Sequence, residues 1–174
     1  MDTFLLRVFQ SNVLEQCKFI IFSYTTLNNS LTRNQNDAAF YSIQNLLTSS
    51  ANISKILWGQ KGKRLEERKL LRDSIGILDS SPLREVNMRN HFEHIDERID
   101  RWWLESKRKI YIDSNIMSIS KIHGYEDVEL FKTFDPITFD VIFWGEKFNI
   151  RSIVKEVQLI LPVVEAESRK PPWD

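Results

Sequence analysis

Residues 3–27 read TFLLRVFQSNVLEQCKFIIFSYTTL, and their periodicity decides the fold class. Leu6, Phe9, Val13, Cys17, Ile20, Tyr24 and Leu27 recur at three- and four-residue steps, the spacing of one face of an α-helix. Leu5, Leu14, Phe19, Ile21 and Phe22 lie off that stripe. A helix apolar on several sides is expected at the centre of a bundle. Asn28-Asn29-Ser30 is a polar stop, so residues 28–36 are expected to form a loop. Asp37 then caps a second helix reaching about Trp58, with Phe40, Ile43, Leu46, Leu47, Ile53, Ile56 and Leu57 on its core face. Gly59 and Gly62 end it. A third, shorter helix is expected from Leu65 to Leu78 on the stripe Leu71, Ile75 and Leu78. Ser81-Pro82 reads as an N-cap followed by proline at the first helical position. The fourth helix would run from there to Ser106.

Past Ser106 the texture changes. Ile110 and Ile112 alternate with Lys109, Tyr111 and Asp113, and Phe139, Val141 and Phe143 alternate with Thr138, Asp140, Ile142 and Trp144. Period-two alternation predicts strands. Asp135-Pro136 and Gly145-Glu146 supply turns, with residues 130–134 and 147–150 able to pair on either side. Ile150, Val154, Val157 and Leu161 predict a last helix, extending to about residue 167, and 168–174 is a tail. The expected fold is mainly α: an antiparallel helical bundle over 1–106, a β-rich elaboration over 107–149 forming a small antiparallel sheet, and a final helix, all in one domain.

Lys and Arg total 24 and Asp and Glu total 24, so the formal net charge is +0. Coating nucleic acid non-specifically needs uncompensated cations and is excluded; local grip on a few phosphates is not. The single cysteine, Cys17, cannot close an intrachain disulfide, which points to a reducing cytoplasm. The first residues have no basic lead and no long apolar run, so no signal peptide is expected, and no stretch approaches the ~20 apolar residues of a membrane span.

The chemistry concentrates in Arg89-Asn90-His91-Phe92-Glu93-His94. A guanidinium holds a phosphate and an imidazole moves a proton near neutral pH, together a minimal kit for cutting RNA without metal. On a continuous fourth helix, Met88, Phe92, Ile95, Ile99 and Trp102 form the core stripe, and Asn90, His94, Glu97 and Arg101 face away from it. Leu83 and Val86 share that outer face, an apolar foot that suggests cover by a second copy of the chain. Arg89 and His94 lie about 140° apart on an ideal helix, so either the long Arg89 side chain curls round to His94 or its working partner is the His94 of a second copy in a symmetric dimer.

This segment resembles the Arg-polar-x-x-x-His signature of the HEPN superfamily, and its place on a late helix after two long ones is similar to the family's. The resemblance covers the six motif residues and the bundle pattern over 1–106. It implies a metal-independent endoribonuclease, commonly dimeric and found among toxins and antiviral defence proteins, that needs no cofactor. His94 would move a proton as a ribose 2′-hydroxyl attacks the adjacent phosphate, leaving a cyclic phosphate. Arg89 would hold that phosphate, and Asn90 would orient His94 or hydrogen-bond the phosphate. The implied partners are RNA, a second copy, and an antitoxin protein. Glu93, Arg101, Lys61, Lys63 and Arg64 are further candidates for contacting substrate, the last three within a basic run that also includes Arg68, Lys69 and Arg72. That run, and Lys107-Arg108-Lys109, read equally as solvated faces.

Two alternatives stand beside the enzyme: a non-cutting HEPN-like dimer that binds nucleotide, RNA or a protein, and an unrelated helical interaction domain. In either, Arg89 serves as an ion-pair partner of Glu93 and His94 as an exposed helical histidine. His91 and His94 lack the four-residue spacing and adjoining Glu of a helical zinc site, so no metal is assigned. Glu146 and Lys147 are adjacent and face opposite ways on a strand, against a restriction-type nuclease. There is no P-loop or Gly-rich dinucleotide turn, and Cys17 lies in a core stripe. Trp102 belongs to packing, and Trp103 is open to stack on a base.

Overall fold

A computed structural model describes residues 1–171 and Trp173; Pro172 and Asp174, the last of the expected tail, lie outside the described residues. The fold is mainly α: the described residues form six α-helices, the last of which follows a small four-stranded sheet. The chain divides into two compact units: one of Met1–Tyr24, Asn45–Val86 and Ser152 onward, the other of Thr25–Gln44 and Asn87–Arg151.

The first unit is helical. It takes most of α1 (Thr3–Thr32), the later part of α2 (Asn36–Trp58), α3 (Lys69–Ser74) and nearly all of α6 (Ile150–Ser168). Leu6, Val13, Cys17 and Ile20 of the α1 stripe are buried, as are Leu46, Leu47, Ile53 and Leu57 of α2. Polar links join the helices: Gln16 of α1 accepts from Asn52 of α2 at 3.2 Å, Gln10 donates to Ser74 of α3 at 2.9 Å, and Arg7 pairs with Glu167 of α6 at 3.3 Å. Leu5, Phe19 and Phe22 are exposed, so α1 is not sheathed on every side as its composition suggests. The expected loop at 28–36 is helical as far as Thr32, because the polar side chains bond back into the helix: Ser30 Oγ to Thr26 O at 2.8 Å and Thr32 Oγ1 to Asn29 O at 2.9 Å. The third helix is shorter than expected, since residues 63–68 form turns before Lys69.

The second unit carries the sheet and the motif. Strands β1 (Asn115–Ile116), β2 (Thr133–Asp135), β3 (Asp140–Phe143) and β4 (Glu146–Asn149) lie in that order. β2, β3 and β4 pair antiparallel, as alternation predicts. β1 pairs parallel to β2, so the sheet is mixed: the long connection through residues 117–132 carries the chain back before it re-enters. The strand expected around Ile110 and Ile112 reduces to one bridge, Ile112 to Leu130. The β3–β4 hairpin turns on Trp144 and Gly145 alone, both at positive φ (51° and 76°), the backbone of a two-residue hairpin turn matched to strand twist.

The single helix expected over 82–106 is three elements. Pro82–Arg84 is a 3-10 turn capped by Ser81 Oγ, which accepts from Leu83 N at 3.3 Å, and Glu85 then leaves helical space. α4 is Asn87–Glu93 and α5 is Ile95–Glu105, separated at His94 (φ −98°, ψ 42°). A stripe records period alone, and two helical pieces that change axis keep the same period. Leu83 is fully buried within this chain, so it forms no outer foot for a second copy. No described helix is long and apolar enough to cross a membrane.

Candidate functional site

α4 packs on the β3–β4 hairpin and buries Met88, His91 and Phe92, whereas α5 buries none of its residues. Of the residues expected on one continuous core stripe, Met88 and Phe92 are inside, Ile95 and Trp102 are half-buried, and Ile99 is exposed.

His94 sits at the break. Its N–H donates to Asn90 O at 3.0 Å and its carbonyl accepts from Arg98 N at 3.2 Å, so backbone bonding brackets the kink. The imidazole is 52% exposed, and its Nδ1 lies 3.4 Å from Glu97 Oε1. Among the described residues Nε2 has no partner. That is the geometry of a ring oriented at one nitrogen and open at the other.

Arg89 is mostly buried and forms an ion pair with Glu93; its Nη1 also donates to Asn90 Oδ1 at 3.2 Å. Within the chain, then, Arg89, Asn90 and Glu93 form one group and His94 pairs with Glu97 instead. Arg101 bonds Glu105 at 2.6 Å and lies 4.7 Å from the Trp144 ring centre. Lys61, Lys63 and Arg64 belong to the first unit, at the 3-10 turn Gln60–Gly62 and just after it; all three are exposed, and Arg64 pairs with Glu67 at 2.7 Å. Of the second basic cluster, Arg108 pairs with the fully buried Glu129 and Lys109 reaches Trp103 O, which leaves Lys107 exposed.

By sequence alone His91 stands out only as a possible metal ligand. Its ring is buried and stacks on Phe143, centre to centre 4.8 Å at 8°. Its Nδ1 accepts from Arg98 Nε at 3.1 Å, and its Nε2 lies 3.1 Å from Glu146 Oε2. An acceptor Nδ1 puts the ring proton on Nε2, facing the carboxylate. Arg98 Nη1 lies 3.6 Å from Glu97 Oε2, the carboxylate whose other oxygen holds His94. A polar chain thus runs from Glu146 through His91, Arg98 and Glu97 to His94. The signal was present: residues 91 and 98 are seven apart, two turns, and so share a helix face.

Two buried carboxylates stabilise the surrounding loops. The Arg108 guanidinium hydrogen-bonded to Glu129 outweighs burial and holds that carboxyl below its usual range. Burial alone would raise Asp135, but donation from the backbone of Ile119, Ile137 and Thr138 and from the Ser118 hydroxyl prevails and lowers it. In the first unit, burial pushes the Cys17 thiol up to about 12, which removes it as a nucleophile. Among the described residues no three His, Cys, Asp or Glu side chains are grouped to hold a metal ion.

Compared with known proteins, the chain matches no family model, no curated protein and no solved structure.

Proposed function

We propose that the chain is an endoribonuclease of HEPN type that cuts RNA without a metal, with His94 moving the proton and Arg89 holding the phosphate. The observation that carries this reading is the His94 ring, half exposed at the helix break, with Glu97 Oε1 3.4 Å from Nδ1 and Nε2 open. A neutral Nε2 takes the proton of the 2′-hydroxyl as its oxygen bonds to phosphorus. An imidazolium returns a proton to the 5′-oxygen as the P–O5′ bond breaks. The products are a 2′,3′-cyclic phosphate and a 5′-hydroxyl. RNA is the substrate because DNA lacks the attacking group.

Within one chain the Arg89 guanidinium is engaged by Glu93 and Asn90 and His94 pairs with Glu97, so we assign the working Arg89–His94 pair to two copies of the chain. In a symmetric dimer, phosphate would compete with Glu93 for that guanidinium beside the other copy's His94. Mixing copies tests the pairing. Arg89→Ala and His94→Ala proteins, each inactive alone in excess EDTA, regain cleavage when combined and allowed to exchange subunits, since a mixed dimer holds one intact Arg89–His94 pair. A mixture that forms dimers yet stays inactive contradicts the shared site.

The Arg89–Glu93 pair also favours a second reading, a protein that binds RNA or a partner without cutting. It predicts RNA binding that survives His94→Ala and no cyclic-phosphate product from any form.

A further inference from the structure

We infer that His91 is a positioning residue for His94, acting through Arg98 and Glu97; this rests on the ribonuclease reading of His94. The support is geometric. The helix is interrupted at His94 (φ −98°, ψ 42°), with neither Gly nor Pro there to mark the break. The side chain nearest to bridging the break is Arg98, whose backbone N–H binds the His94 carbonyl at 3.2 Å and whose Nε binds His91 Nδ1 at 3.1 Å. His91 is in turn fixed on the hairpin, stacked on Phe143 and held at Nε2 by Glu146. Arg98 and Arg101 both lie over Trp144, at 5.5 Å and 4.7 Å, so the same turn receives two cations from α5. Trp144 adopts a left-handed backbone, uncommon for a bulky residue, and the turn it makes sets Glu146 against His91.

One link in this chain is directional. Arg98 donates to Nδ1 only when that nitrogen carries no proton, so His91 fixes the azimuth of Arg98 as an acceptor. Arg98 Nη1 lies 3.6 Å from one oxygen of Glu97, and the other oxygen of that carboxylate lies 3.4 Å from His94 Nδ1, so a shift of Arg98 reaches the His94 ring through charge contacts on Glu97. Loss of His91 frees Arg98 and lets α5 rotate at the break, moving the imidazole from its working position while leaving its chemistry intact. A displacement on the order of 1 Å costs about 100-fold in rate.

Two substitutions separate positioning from bulk packing. His91→Phe keeps the ring stacking and removes both polar links. His91→Asn restores an acceptor near the Nδ1 position without the ring. Wild type and both variants are compared by RNA cleavage in EDTA, by circular dichroism, and by long-range 1H–15N spectra of the imidazoles. The expected result is a folded His91→Phe protein with kcat down about 100-fold, KM little changed, and shifted His94 cross-peaks, with partial return of kcat and cross-peaks in His91→Asn. The wild-type His91 signals should report an Nε2–H tautomer. If His94 signals and kcat are the same in wild type and His91→Phe, the positioning role is overturned while the ribonuclease stands. If wild type cuts nothing but the His94 signals still move and return, the link is supported and the ribonuclease reading fails. Arg98→Gln, at a partly exposed side chain, gives the same comparison should His91→Phe not fold.

Discussion

α4 and α5 share one sequence period and differ in almost everything else. α4 lies against the β3–β4 hairpin and buries three residues in its seven; α5, eleven residues long, buries none and exposes Ile99, Trp103 and Leu104. The contrast is sharpest in their histidines. His91 is buried with both nitrogens engaged, and His94, three residues on, is half exposed with one nitrogen open. An imidazole committed at both ends cannot exchange a proton with a substrate. An imidazole committed at one end can, provided something fixes its direction. The break in the helix allows one short segment to carry an anchored ring and an open ring together.

The largest effect should come from the anchor. Phe143→Ala removes a fully buried ring that stacks on His91 and lies 5.0 Å from Phe131 and 5.6 Å from Trp144. We expect a loss of about 3–5 kcal/mol in denaturant unfolding. A loss under about 1 kcal/mol would show that α4 is not held by the hairpin.

Next is His91→Ala, which removes a buried ring from Phe143 and leaves the mostly buried Arg98 Nε without its acceptor, and should cost about 1–3 kcal/mol in the same measurement. A cost no greater than that of changing an exposed residue would erase the difference between the two histidines.

Acid should act through Glu129 and Asp135. Both bind a proton less readily in the folded state than their ordinary values of 4.5 and 3.8, so the stability they contribute is full above those values. It is lost as pH falls through the lower folded values. Urea unfolding should therefore show a midpoint that declines from about pH 5 toward about pH 2. A flat or rising midpoint over that range contradicts the two carboxylate anchors.

The smallest effect is expected for His94→Ala, whose side chain faces solvent: within about 0.5 kcal/mol of wild type by thermal unfolding. A larger loss would make His94 a structural residue and weaken its assignment to chemistry.

Much of the fold was legible because period survives in the folded state. The α1 and α2 stripes, a strand within residues 138–144 and the last helix each appear where spacing places them, although β3 buries Ile142 as well as Val141 and Phe143 and so is not one-sided, and boundaries are displaced where side chains bond back to the chain, as at Ser30 and Thr32. The parallel entry of β1 has no local signature, since it depends on where a sixteen-residue connection ends. The break at His94 is equally silent, because no Gly or Pro marks it and the apolar spacing runs through it. For the candidate site, the sequence supplied the residue types and put His94 outside the core. It could not supply the Glu146 link to His91, which joins positions far apart in the chain; the Arg89–Glu93 pair, by contrast, is readable from its four-residue spacing.

Proton transfer by His94 during metal-free RNA cleavage is the step on which the proposed activity depends. Its most direct test is to incubate purified wild-type and His94→Ala proteins with a mixed-sequence RNA in excess EDTA and to identify the product ends. Cleavage by wild type alone, with 2′,3′-cyclic phosphate and 5′-hydroxyl ends, is the predicted result. Equal cleavage by both proteins, or wild-type cleavage that stops when EDTA is added, would contradict it.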